Sequence, residues 1–352
     1  MESSENNQDY KQDLSNENQT SSVDNEINEN IKFTSRIDLS ELQESMFKIK
    51  KELQKVIVGQ KEMMDLLLVS LLANGHVLIE GVPGVAKTIT AKLLSKTIDI
   101  DFSRIQFTPD LMPSDILGTS VFNVKNSEFE FKKGPIFSNM VLIDEINRAP
   151  AKTQAALFEV MEEKQVTIDG TTFKMDEPFV VLATQNPIEQ EGTYRLPEAQ
   201  LDRFLFKINV EYPNAEEELE IITKEQALKN NTKTSKIETV ISGKKIVEFR
   251  KLINHITIEK NLLKYITNIV VNTRSNSYLY LGASPRATIA ILAASKAFAA
   301  IEGRDFVTPE DIKRATIPVL QHRVIVTPER EMEGLTSTQI IQQIIETVEI
   351  PR

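Results

Sequence analysis

Leu78-Ile79-Glu80-Gly81-Val82-Pro83-Gly84-Val85-Ala86-Lys87-Thr88 is the stretch on which the reading of this 352-residue chain turns. An apolar run enters a loop punctuated by two glycines and closes on Lys-Thr, where a helical pattern begins. Such a loop turns successive backbone N–H groups inward, the helix N-terminus adds its positive dipole end, and a polyphosphate meets both together. In this pattern the lysine reaches the β- and γ-phosphates and the following hydroxyl holds Mg²⁺, which makes Lys87 and Thr88 the candidates for those tasks. The general pattern G-x-x-x-x-G-K-[ST] has glycine where this chain has Ala86. A negative φ at the entry to the helix would leave room for the methyl group, and that is the conformation expected there.

Downstream segments decide against a chance glycine-rich turn. Met140-Val141-Leu142-Ile143-Asp144-Glu145 reads as a buried strand that delivers two acids at its C-terminal end, the end at which open α/β sheets bind ligands. Asp144 suits contact with Mg²⁺ through water, and Glu145 suits polarising the attacking water as a general base. The next apolar strand, Pro178–Thr184, ends at Gln185-Asn186-Pro187. The Asn186 amide could bond both the γ-phosphate and the lytic water. An acidic pair alone is often a solvated turn, and a lone asparagine after a strand is often only a turn residue. The three features in this order point to nucleotide hydrolysis.

Composition narrows the class. The chain has no cysteine or tryptophan and three widely separated histidines (His76, His255, His322), which excludes disulfides and argues against structural zinc. No apolar run is long enough to span a bilayer and no leader pattern opens the chain, so a cytoplasmic protein is expected. Of the formal charge of −10, residues 1–31 carry −7, from eight acids and one lysine. The remainder is nearly balanced, which argues against general nucleic-acid affinity.

Three parts are expected along the chain: a disordered polar leader over 1–37, an α/β core over 38–213, and a helical domain over 214–352. The leader is rich in Asn, Ser, Glu and Asp and has too little apolar surface to offset chain entropy. Ser40-Glu41-Leu42-Gln43 has the form of a capping box, and Leu39, Leu42, Met46, Ile49, Leu53 and Ile57 follow on one helix face. Gly75 suits the cap of a second helix. Strands then alternate with helices, which gives a doubly wound, largely parallel sheet. Two hairpins interrupt it, one around Lys125-Asn126-Ser127 and one around the strong turn pair Asp169-Gly170. After Tyr212-Pro213 helical periodicity dominates. Ser284-Pro285 and Thr308-Pro309 are well-formed helix starts, and the polar segment 229–242 reads as a loop.

These residues resemble the AAA+ ATPases, and within them the MoxR family. The resemblance covers roughly residues 38–326 and rests on Gly81–Thr88 and Arg104-Ile105-Gln106-Phe107-Thr108-Pro109-Asp110-Leu111-Met112-Pro113-Ser114-Asp115. It also rests on Gly134-Pro135-Ile136-Phe137, Asp144-Glu145-Ile146-Asn147-Arg148-Ala149-Pro150, Ala183-Thr184-Gln185-Asn186-Pro187 and Leu196-Pro197-Glu198-Ala199-Gln200-Leu201-Asp202-Arg203-Phe204. Ala86 is typical of that family, whereas Arg195 stands where proline is usual. The resemblance implies ATP contacts from Val58, Gly59, Gly81, Val82, Pro83, Gly84, Val85, Ala86, Lys87, Thr88 and Ile89. It further implies Mg²⁺ at Thr88 and Asp144, catalysis at Glu145 and sensing at Asn186. Arg203 is similar to an arginine finger acting on a neighbouring subunit, and Arg286 to a second sensor reaching the γ-phosphate of its own subunit. Arg148 has a functional or a structural role on this reading.

A homo-oligomeric, hexameric ring is implied, with the two hairpins near its pore, together with a chaperone-like action on protein clients, among them proteins with von Willebrand A domains. Rival readings on the same fold are a nucleic-acid motor, a chelatase-type motor subunit, and a nucleotide-gated scaffold without turnover. Mixed charge on the hairpins speaks against the first. Lys87, Glu145 and Asn186 together speak against the last.

Overall fold

The computed structural model describes residues 37–187, 194–228 and 237–351. The expected disordered leader, apart from Ile37, lies outside the described residues, as does the 229–236 part of the expected loop. Two helices, α1 (Ser40–Gln54) and α2 (Lys61–Leu72), precede the first strand. All six residues placed on the apolar face of the first helical stretch are buried. The Ser40 capping box does not form: Leu39 is the N-cap, and the Ser40 N–H donates to Asp38 Oδ1 at 3.0 Å, so the aspartate two residues earlier does that work. After α2 the left-handed position falls on Asn74 (φ 56°). Gly75 is instead needed for close approach, since a Cβ there would lie 2.5 Å from Leu205.

The chain continues through β1 (His76–Gly81), α3 (Lys87–Thr97), β2 (Phe102–Gln106), a short α4 (Pro113–Leu117), and a ribbon of β3 (Gly118–Asn123) and β4 (Glu128–Lys133). Next come β5 (Met140–Asp144), α5 (Ala151–Glu163), and a second ribbon of β6 (Gln165–Ile168) and β7 (Thr171–Lys174). Then β8 (Val180–Gln185), a single turn α6 (Glu198–Leu201) and β9 (Phe204–Val210) follow. Five strands pair in parallel in the order β2-β5-β8-β1-β9, the α/β sheet expected. The near-continuous apolar runs of β1, β5 and β8 follow from burial on both faces. Val77 and Ile79 of β1 join one core cluster and Leu78 the other, the alternation a pleated strand imposes.

Register fixes where function can sit. His76 lies opposite Phe204 and Gly81 opposite Val210, so β1 and β9 run side by side along their whole length. The phosphate-loop candidate therefore leaves the C-terminal end of the sheet, and residues just before Phe204 lie at the other end.

Beyond β9 the chain is mainly helical: α7 (Ala215–Leu228), α8 (Gly243–Asn254), α9 (Lys260–Ser275), β10 (Leu279–Leu281), α10 (Pro285–Ile301), α11 (Pro309–Leu320), β11 (Ile325–Val326), α12 (Pro328–Met332) and α13 (Ser337–Thr347). The β10–β11 ribbon was not legible, because strands this short have no period and pair across more than forty residues; α12 and α13 were not singled out, although Thr336 and Gln339 form a capping box ahead of the apolar face of Ile340, Ile341, Ile344 and Ile345. Ser284 caps α10, accepting from the Arg286 N–H at 3.2 Å. Helix α11 packs along β9 and covers the open edge of the sheet. Helices α8 to α11 and α13 share one apolar cluster with α1 and α2. Among the described residues no helix is long and apolar enough to cross a membrane.

Candidate active site

A cleft of about 410 Å³ opens at the C-terminal ends of β1, β2, β5 and β8. Pro83, Gly84, Ala86, Lys87, Thr88 and Ile89 line one side, and Arg104, Gln106, Asp144, Glu145, Thr184 and Asn186 the other. Three motifs scattered over a hundred residues of sequence thus meet in one place.

The loop achieves its curvature with two left-handed residues, Gly84 (φ 89°) and Ala86 (φ 62°). The negative φ expected at Ala86 is not what the chain adopts. Its methyl group sits in the conformation for which the general pattern keeps glycine, at a cost of about 1–2 kcal/mol. The Lys87 ammonium donates to the Gly81 carbonyl at 2.6 Å, folded back across the loop. Burial pushes its pKa below the ordinary lysine range, while Asp144, Glu145 and Glu80 pull the other way. Gly81 is sterically required, since a Cβ would lie 2.7 Å from the Val210 carbonyl. Val85 is buried in the core and Val82 packs against it, so their side chains belong to the scaffold.

Val58 is buried and Gly59 (φ 64°) lies against the Glu217 carboxylate. Neither lines the cleft; their neighbour Gln60 borders a separate cleft of about 460 Å³ with Tyr212 and Glu217. The donor set fits the implied groups. A hydroxyl (Thr88) and a carboxylate (Asp144) in one cleft are hard oxygen ligands suited to Mg²⁺, beside a loop whose N–H groups suit phosphate.

The acid pair is held from three sides. Thr184 Oγ1 donates to Asp144 Oδ1 at 3.2 Å and accepts the Glu145 N–H at 3.0 Å, so one hydroxyl sets both residues. Arg104 Nε donates to Asp144 Oδ2 at 2.5 Å. Glu145 stands in the left-handed region (φ 57°, ψ 55°), and its Oε2 accepts from Gln106 Nε2 at 2.8 Å and Arg148 Nη1 at 3.0 Å. A glutamate in that backbone conformation is strained, as residues at functional sites often are. Sequence reasoning missed Arg104, Gln106 and Thr184. A signal existed for the first two: residues two apart on one strand share a face, and β2 neighbours β5.

Arg203 and Arg286 are elsewhere. Both guanidinium groups bond the Glu162 carboxylate at the end of α5, Arg286 Nη2 at 2.8 Å and Arg203 through Nη1. Asp202 accepts from Ser284 Oγ at 2.9 Å and from Arg323 Nε at 2.7 Å in the same cluster. This cluster sits beside His76 at the N-terminal end of the sheet. The five residue steps of β1 from His76 to Gly81 span about 17 Å, which separates it from the loop. The expectation that Arg286 reaches the γ-phosphate of its own subunit is therefore corrected. It keeps company with Arg203, not with Lys87.

The model of the ATPase family associated with various cellular activities (AAA) matches residues 76–206, and that of the AAA lid domain matches residues 271–344. The chain is 44% identical over 299 residues to the uncharacterized protein YeaC of Bacillus subtilis, covering 85% of this chain and 92% of that one. It is 43% identical over 310 residues to chaperone MoxR1 of Mycobacterium tuberculosis, covering 86% and 81%. A crystal structure from Cytophaga hutchinsonii, provisionally assigned as an ATPase, superposes with a TM-score of 0.82 at 47% identity, covering 89% of this chain and 97% of that one.

Proposed function

Because the chain belongs to the MoxR family of AAA+ ATPases, we propose that it hydrolyses ATP to ADP and phosphate and, as a homo-oligomeric ring, uses the cycle to remodel a protein client. The observation that carries this is the single cleft in which Lys87 and Thr88 face Asp144, Glu145 and Asn186.

In this reading residues 38–213 bind the nucleotide and 214–352 form the lid. The loop N–H groups and the Lys87 ammonium hold the β- and γ-phosphates, with Val58 and Gly59 toward the base. Thr88 and Asp144 hold Mg²⁺, which when bound neutralises phosphate charge and polarises its oxygens. Glu145 takes a proton from the attacking water once its carboxylate is released by Gln106 and Arg148, and Asn186 orients that water for in-line attack. Arg203 and Arg286, too far from their own loop, serve the γ-phosphate of an adjacent subunit. The Mycobacterium tuberculosis relative, named as a chaperone, supports a protein client, von Willebrand A domains among the candidates. The near-balanced charge beyond residue 31 supports a protein over a nucleic acid, and we read the protein as cytoplasmic.

Lys87→Ala tests the assignment of the cleft. A fluorescent ATP analogue titrated against this variant should show loss of binding, because the backbone cradle alone gives up its only fixed cation in the loop. Near-normal affinity would move the nucleotide out of this cleft.

A further inference from the structure

Asp144 is the carboxylate assigned to hold the metal with Thr88, and both of its oxygens are already engaged: Oδ1 by the Thr184 hydroxyl and Oδ2 by Arg104. The Thr184 bond is compatible with a cation nearby, since a neutral hydroxyl carries no net charge. The Arg104 bond is not, because a guanidinium 2.5 Å from Oδ2 would repel a divalent cation held by the same carboxylate, directly or through water. Arg104 has somewhere to go. Its side chain is about half exposed, it lines the same cleft as Lys87 and Thr88, and among the described residues no other carboxylate bonds it.

The geometry points to Arg104 as an internal counter-ion that exchanges with the metal: it neutralises Asp144, gives way when the metal arrives with the nucleotide, and turns to the terminal phosphate. The inference rests on the proposed nucleotide site. Arg104 is thereby a positioning residue that couples metal loading to the presence of a γ-phosphate. With a triphosphate the displaced guanidinium gains a new partner, whereas with a diphosphate it is displaced for nothing. The metal is therefore held less firmly beside ADP than beside ATP, which distinguishes substrate from product without any lid movement.

Opposite effects on two nucleotides test this. Fluorescent ADP, and separately a non-hydrolysable ATP analogue, are titrated with Mg²⁺ against the full-length protein and its Arg104→Gln and Arg104→Lys variants. Removing the competitor in Arg104→Gln should lower the Mg²⁺ concentration at half-saturation with ADP by about two- to fivefold, the effect of losing one partly exposed ion pair. The same variant should bind the triphosphate analogue more weakly by a similar factor. Arg104→Lys keeps the charge and should stay near wild type in its Mg²⁺ dependence. An unchanged or increased Mg²⁺ requirement with ADP in Arg104→Gln overturns the exchange. If the wild-type protein binds neither nucleotide, the assignment of the cleft fails instead, and the two failures are told apart by that control.

Discussion

His76 shows how much one buried side chain can weigh. It is fully enclosed at the N-terminal end of β1, its Nδ1 accepts the Val181 N–H at 2.9 Å, and its Nε2 donates to the Met161 carbonyl at 3.0 Å. That pattern needs the neutral ring, and burial pushes its pKa from 6.5 down to about 4. The unfolded chain then binds the extra proton first as pH falls. Stability from this group is complete above the unfolded value and is lost between pH 6.5 and about 4. At pH 5 the loss from His76 is about 2 kcal/mol, and His322, buried and shifted the same way, adds to it. Denaturant unfolding at pH 7.5 and pH 5 should show His76→Gln losing less stability between the two than wild type; parallel losses would mean the ring protonates in place. Residues such as Asp144, Glu145 and Asn186 were legible because each ends an apolar run in a recognisable order. Thr184 was not, and Arg104 and Gln106 were legible only as two residues sharing one strand face, because the roles of all three depend on which strands are neighbours, and the order β2-β5-β8 is a property of the folded sheet. The left-handed φ at Ala86 was missed because residue type argued against it.

At the scale of elements, the turns of both ribbons were legible. Asp169-Gly170 takes the paired positive φ values (49° and 78°) of a tight hairpin turn. What the sequence did not reveal is that the ribbons form one body. Phe131 of β4 and Phe173 of β7 stack at 4.5 Å between ring centroids, Phe137 meets both edge-on, and Ser120 bonds Asp169 across the gap at 2.5 Å. Contacts between residues more than thirty positions apart have no local signature. Aromatic pairs of this kind contribute about 0.5–1.5 kcal/mol each. Phe173→Ala should therefore speed amide exchange in β3–β4, the ribbon that does not contain the mutation, by about three- to tenfold under conditions where exchange reports local opening. Protection unchanged in β3–β4 would show that the ribbons open independently.

For the whole molecule, the decisive fact is that its candidate functional residues are split between two ends of one sheet. The phosphate loop, the acid pair and Asn186 gather at the C-terminal end, and Arg203 and Arg286 share Glu162 at the other, about 17 Å away by the length of β1. The lid does not bridge that gap. Arg323, buried at the end of α11, fastens it to the start of β9 through Asp202 and the carbonyls of Asp202, Phe204 and Leu205. Removing one partner of such a buried pair costs about 3–5 kcal/mol, so release of the lid to carry Arg286 across is disfavoured. Doubly wound architecture was legible from alternating strands and helices, but which end each arginine occupies required the register of β9 against β1. If the two ends work together, they do so between subunits. Arg203→Ala should bind ATP as wild type does and be nearly inactive, since a finger acting in trans contributes about 10³–10⁵ in rate. Glu145→Gln should also bind ATP and turn over slowly, by about 10²–10⁴. Mixed in one ring, the two inactive proteins should recover activity wherever an intact Arg203 on a Glu145→Gln subunit faces an intact Glu145 on an Arg203→Ala subunit. Recovery should peak near equal mixing and vanish with either protein alone. Rings shown by native mass measurement to contain both proteins, yet inactive at every ratio, would mean that Arg203 is structural, and Arg286 and Arg148 would then be the arginines to exchange in the same assay.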